Sequence, residues 1–180
     1  MTLVARLAAG ETLGDRVLKV DHAGEHGAVC IYRSQRFFAR WRAPKMVQEI
    51  DEFIVHERGH RARFEAELTN RKRARCRSYH FCGLGGLVLG AVTGLAGKDA
   101  INATTVAIER VVLRHMREQI VELKSSDPRV AAILRDIVEE EQEHHDISVA
   151  QLPASGFWQK SLGQLVSAST EVVIWLGMRL

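Results

Sequence analysis

Residues 21–60 read DHAGEHGAVCIYRSQRFFARWRAPKMVQEIDEFIVHERGH, and residues 105–144 read TVAIERVVLRHMREQIVELKSSDPRVAAILRDIVEEEQEH. Set against each other at an offset of 84, they share seven identities in 40 positions. Ala23 meets Ala107, Glu25 meets Glu109, Arg33 meets Arg117 and Gln35 meets Gln119. Pro44 meets Pro128, Glu57 meets Glu141 and His60 meets His144. The likeness is modest, as in a diverged duplication. Three of the matches are side chains able to bind metal, and a fourth is a proline at a turn.

The spacing inside each copy has a geometric meaning. Val17, Val20, Ala28, Ile31 and Phe38 recur at helical intervals over 12–41. Pro44 is tolerated in the first turn of a second helix, which runs to about Leu68. The chain climbs the first helix from Glu25 to Trp41 and descends the second from Pro44 to Glu57. At helical rise these are about 24 Å up and about 20 Å back, so the two carboxylates sit at nearly one level of an antiparallel hairpin. Glu109 to Ser125 and Pro128 to Glu141 repeat the arithmetic. Residues 57 and 60, and residues 141 and 144, are three apart and share a helix face. Two packed hairpins then bring four carboxylates and two imidazoles into one layer.

Four carboxylates cannot stay charged in a core unless they are paired or bound to metal. Oxygen ligands with one imidazole per ion suit iron or manganese better than zinc or copper. One Glu from each of two helices, with a Glu-x-x-His from each of the other two, is the pattern of ferritin-like di-metal bundles. The candidate ligands are therefore Glu25, Glu57, His60, Glu109, Glu141 and His144. The competing reading, solvated helix faces, explains a lone Glu-x-x-His but not two in register with two further glutamates. Glu139, Glu140 and Glu143 fall out of register and read as surface groups or as supports behind the ligands. His145 and Asp146 are candidates for orienting a ligand, with an exposed polar helix end as the alternative. His56-Glu57-Arg58-Gly59-His60 also matches the HExxH signature of zinc peptidases. The repeat speaks against that remote alternative, because Glu140 stands where a second His56 is needed.

The rest of the chain frames this layer. Its 180 residues suit a single domain spanning 1–180, with repeats at about 12–69 and 99–151. Further helices are expected at about 99–124, 128–151 and 157–177, and no convincing strand. Cys30, Cys76 and Cys82 are odd in number and lack CxxC spacing, so they read as reduced thiols. Met1–Gly10 carries no secretory signal, since Arg6 breaks its apolar stretch. Arg71, Lys72, Arg73, Arg75 and Arg77 form a basic run, and the stretch 81–97 that follows it is uncharged. Such a run favours anionic headgroups, and an apolar stretch of that length falls just short of a span. The segments 79–97 and 157–177, the latter with Phe157, Trp158 and Trp175, are thus expected to lie on or shallowly in a membrane. Gly86, Gly90 and Gly94 make a smooth face that another helix can approach, consistent with a homodimer. Without a recognised binding fold, the basic run points to no nucleic acid.

Asp21-His22-Ala23-Gly24-Glu25, His26-Gly27-Ala28, both Glu-x-x-His motifs, Gly97-Lys98 and Glu143-His144-His145-Asp146-Ile147 resemble the demethoxyubiquinone hydroxylase family. The resemblance covers about Asp15 to Leu180. It implies an all-α, ferritin-like four-helix bundle of two hairpins, with two additional apolar helices for membrane contact. It implies a monooxygenase with two iron ions (Fe2+/Fe3+) that uses O2 to hydroxylate 2-polyprenyl-3-methyl-6-methoxy-1,4-benzoquinol, the penultimate step of ubiquinone biosynthesis. The family ligands fall on the six residues that the repeat selects. Partners expected on this footing are the polyprenyl quinol, a lipid surface and other proteins of quinone biosynthesis. The expected location is peripheral, on the cytoplasmic face of a bacterial inner membrane, or on the matrix face of the mitochondrial inner membrane for a processed form. Many members carry Tyr where this chain has Met116, so no role of that tyrosine transfers. His115 beside it is a candidate for contact with a quinone oxygen, against a satisfied core histidine. Two alternative functions are a non-catalytic quinone- or lipid-presenting partner and a ferritin-like metal or peroxide protein. No GxGxxG fingerprint opens a βαβ unit, so electrons must enter without a Rossmann domain.

Overall fold

The computed structural model describes residues 5–153 and 157–180, apart from the side chains of residues 157 and 159–161. The expectations for residues 1–4 and for the Phe157 side chain lie outside the described residues. Six α-helices and one 3-10 turn make up the described chain, with no strand among the described residues. α1 (Leu13–Arg42) is followed by the 3-10 turn Pro44–Met46, α2 (Val47–Asn70) and α3 (Tyr79–Ala96). α4 (Lys98–Leu123), α5 (Pro128–Ala150) and α6 (Phe157–Gly177) complete it.

Local chemistry sets the boundaries. Thr12 and Asp15 form a reciprocal capping box that satisfies two donors at the start of α1. Asp127 accepts from the Val130 N–H, and Pro128 follows it, so the loop after α4 hands directly into α5. Gly97 alone links α3 to α4, at φ +98°, a conformation that a side chain would strain.

α1 packs against α2, and α4 against α5, forming the four-helix bundle as two antiparallel hairpins. The third helix of each half lies outside it, α3 along α1 and α6 along α4. α3 runs parallel to α1: a Cβ at Gly83 would meet His26, one at Gly90 would meet Ile31, and one at Gly94 would meet Gln35. α6 runs parallel to α4 likewise, with Ser167 bonded to the Ala107 carbonyl and Glu171 near Arg114 and His115. The duplication thus extends to a three-helix unit. Tyr32, Ala39, Ile50, Phe53 and Ile101 form one apolar cluster. Val17, Leu18, Phe64, Leu123, Leu134 and Ile137 form another.

Candidate metal centre

Glu25 on α1, Glu57 and His60 on α2, Glu109 on α4, and Glu141 and His144 on α5 are all buried. They form two overlapping groups. Glu25, Glu57, His60 and Glu141 offer ligand atoms within 4.8 Å of one another, and so do Glu57, Glu109, Glu141 and His144. Glu57 and Glu141 belong to both groups, whereas each remaining Glu and His belongs to one. Both imidazoles turn Nδ1 inward: His60 Nδ1 lies 2.9 Å from Glu141 Oε1, and His144 Nδ1 lies 3.3 Å from Glu141 Oε2.

The electrostatics fit a site made for cations. Burial, and then the charge of Glu57, push the Glu25 carboxyl well above its usual range. Burial, with Glu141 and Glu57 beside it, does the same to Glu109. Burial works against charge on His144, yet the carboxylates of Glu141 and Glu57 raise it to about 10. His60 is raised by the same kind of neighbour, also against burial. Glu141, held by both imidazoles against the effect of burial, stays well below the ordinary carboxylate range. Attraction between Glu141 and the two imidazoles therefore holds the layer together without metal. Glu57 Oε1, His60 Nδ1, Glu141 Oε2 and His144 Nδ1 are sealed from solvent, and although the imidazoles sit close to Glu141 none of the four atoms makes a well-aligned hydrogen bond. Buried polar atoms without partners are rare, and cations among these four would supply them.

A cavity of about 500 Å³ reaches the layer at Glu25, Glu57, Glu109 and Glu141. Its other walls are mainly apolar, with Ile31, Leu89, Ile108, Val112 and Leu165 drawn from α1, α3, α4 and α6. Phe81 on α3 and Leu165 on α6 line it and are largely exposed, so they stand at its mouth. Among its polar lining is Asp21, one turn before Glu25. Burial raises this carboxyl to about 7 despite a hydrogen bond from Gln119.

The remaining expected residues take various places. His115 lines the cavity, and its Nε2 lies 2.9 Å from Glu171 of α6. His145 and Asp146 bond to each other, with Asp146 exposed and also bonded to Gln142, and no bond joins either to a ligand. The imidazoles are instead met from behind by His56 and Glu140. Arg71 is engaged by Asp127, Glu67 and Asp15, and Arg73 by Asp15 and the Gly10 carbonyl. Both therefore cap the bundle end. Arg75 lies over the Tyr79 ring, while Lys72 and Arg77 are exposed. Tyr32 escaped the sequence reading. Its hydroxyl donates to Glu109 Oε1 at 3.0 Å. The signal was available: Tyr32 is two turns beyond Glu25, and its repeat position is Met116.

Residues 12–177 match the family described as ubiquinone biosynthesis protein COQ7. The chain is 31% identical over 170 residues to the NADPH-dependent 3-demethoxyubiquinone 3-hydroxylase of Dictyostelium discoideum, covering 92% of this chain and 76% of that protein. It is 31% identical over 165 residues to the 3-demethoxyubiquinol 3-hydroxylase of Rhodospirillum rubrum, covering 92% and 77%. It is 33% identical over 172 residues to the human NADPH-dependent 3-demethoxyubiquinone 3-hydroxylase, again covering 92% and 77%.

Proposed function

The chain belongs to the COQ7 family of ubiquinone biosynthesis proteins, and on that premise we propose that it hydroxylates the ring of a polyprenylated demethoxybenzoquinol with O2. It is an oxidoreductase of the demethoxyubiquinol hydroxylase type. The observation that carries the reading is the junction of a buried layer of four glutamates and two histidines with an apolar cavity.

The residues fit two iron ions. Glu25 and His60 would serve one, Glu109 and His144 the other, and Glu57 and Glu141, which belong to both groups, would serve both. When bound, such ions supply the activation of O2 that no side chain can provide. One oxygen atom enters the ring, and the other leaves as water with two electrons and two protons. The Dictyostelium and human relatives are named as NADPH-dependent, and NADPH is the proposed electron source here.

The protein's own part is to bind, orient and keep dry. The apolar walls take the ring and the start of its isoprenoid tail and exclude bulk water from the layer. Tyr32 holds Glu109 in place through its hydroxyl. Asp21, titrating near neutral pH within the lining, can exchange a proton close to the ring. Outside the mouth, Leu84, Val88 and Val92 of α3 and Val172 and Trp175 of α6 are exposed. α3 is long and apolar enough to cross a bilayer. Its glycine face is spent on α1, so we read the α3–α6 surface as lying on the membrane, with the cavity mouth facing the lipid that holds the substrate. The whole chain 1–180 is read as one domain.

Deleting the gene and restoring it tests the reading. Demethoxyubiquinone should accumulate in the deletion strain, seen by mass spectrometry, and ubiquinone should return with the intact gene but not with Glu25→Ala or Glu141→Ala. Ubiquinone synthesis unchanged by deletion, in a strain with no second hydroxylase, would overturn it.

A further inference from the structure

The HExxH match at His56–His60 has a use that is not a zinc peptidase site. Residues 56 and 60 are four apart and share a face of α2, as residues 140 and 144 share a face of α5. The two faces meet in antiparallel order. His56 Nδ1 lies 2.9 Å from His144 Nε2, with the rings stacked 8° from parallel. His60 Nε2 lies 3.1 Å from Glu140 Oε2. His56 and Glu140 occupy the same position of the repeat, each directly before a Glu-x-x-His. Each reaches across to the histidine of the other half.

The two supports are reciprocal in place but unequal in chemistry. Both ligand histidines turn Nδ1 inward, so in the metal-binding tautomer each carries its proton on Nε2 and donates it outward. His60 donates to a carboxylate, whose other oxygen is held by Arg63. That raises the basicity of the inward nitrogen. In that tautomer His144 donates to the Nδ1 lone pair of His56, a weaker acceptor than a carboxylate. We propose that His56 and Glu140 are positioning residues that make the two halves of the metal centre unequal, so that the position served by His60 fills first and more tightly than the one served by His144. The duplication supplied two like half-sites, and this exchange sets the surroundings of their histidines apart. The inference rests on the dinuclear reading above.

Anaerobic calorimetric titration of the metal-free full-length protein with Fe2+ tests it. Wild type should show two ions binding in two resolved steps. Glu140→Gln should weaken the tight step by about 10- to 100-fold, the usual size of such outer effects. His56→Glu should tighten the weak step and draw the two together. His56→Gln, which keeps a neutral acceptor, should leave both steps as in wild type. Circular dichroism of each metal-free variant verifies folding before the titration is scored. Two ions binding with equal constants that ignore the Glu140→Gln and His56→Glu exchanges would overturn this inference and leave the dinuclear reading intact. A wild-type protein that binds no ion would overturn both.

Discussion

Glu141 illustrates how little freedom a single side chain has in this layer. It belongs to both ligand groups and keeps its charge where Glu25 and Glu109 are driven to hold protons. Without metal, burial and neighbouring carboxylates favour protons on Glu25 and Glu109, and the carboxylates favour them on His60 and His144. A cation must displace them, so binding should release protons and weaken with acid. Titrating the metal-free protein with Mn2+ from about pH 8 to about pH 6 should show affinity falling as pH falls. Calorimetry in buffers of different ionisation heat reads the released protons directly. Glu11 makes a separate case. Its carboxylate accepts from the Ala8 N–H, Arg16 and Lys19. Burial alone would raise it, yet these partners bring it down from 4.5 to about 2. A depressed carboxyl stabilises the fold fully above its unfolded value and loses that contribution as pH falls through the folded one. Glu11→Gln should therefore cost about 1–3 kcal/mol near neutrality. Its deficit against wild type should shrink between about pH 4.5 and about pH 2, measured by urea unfolding.

Among the elements, α3 depends most on one residue type. A Cβ at Gly90 would lie 2.3 Å from the Ile31 carbonyl oxygen and 2.8 Å from Ser34 Cβ, with backbone on one side that cannot yield. Gly90→Ala should cost about 1–3 kcal/mol by overpacking, measured by chemical denaturation. Gly85 has nothing within 4 Å of the same point, so Gly85→Ala should cost nothing and serves as the control. The glycine face expected to admit a partner helix is thus occupied by α1 of the same chain. α6 is tied differently: the Arg6 N–H reaches the Met178 carbonyl, and Arg16 reaches that of Gly177. The start of the chain therefore anchors its last helix beside the cavity.

For the whole molecule, the duplication sets both site and surface. Two hairpins close the glutamate and histidine layer, and two outer helices leave a cavity between them whose mouth is rimmed by exposed apolar side chains. The basic run contributes less to that surface than its composition promises, because Arg71 and Arg73 are consumed at the bundle end. If the α3–α6 face meets lipid, Leu84→Glu with Val88→Glu should abolish flotation with anionic vesicles while leaving helicity and metal content unchanged. Retained flotation would move the contact elsewhere.

The offset of 84 was enough to find the hairpins, their level and the six side chains of the layer, because helical rise converts residue counts into distances and a duplication repeats them. Gly97 and the caps at Thr12 and Asp127 act within a turn of chain, so the residues that end and start these helices are set by local sequence. What lies behind the histidines was not. Nothing near His144 in sequence marks His56 as its partner, and the neighbours His145 and Asp146 were the natural candidates. Tyr32 on Glu109, Gln119 on Asp21 and Glu171 on His115 likewise join helices through contacts 56 or more residues apart in the chain. Periodicity places a residue on a face, but which side chain fills the space opposite depends on how the faces close. That closure brought His56 and Glu140 behind the two histidines and opened the cavity on one side of the layer.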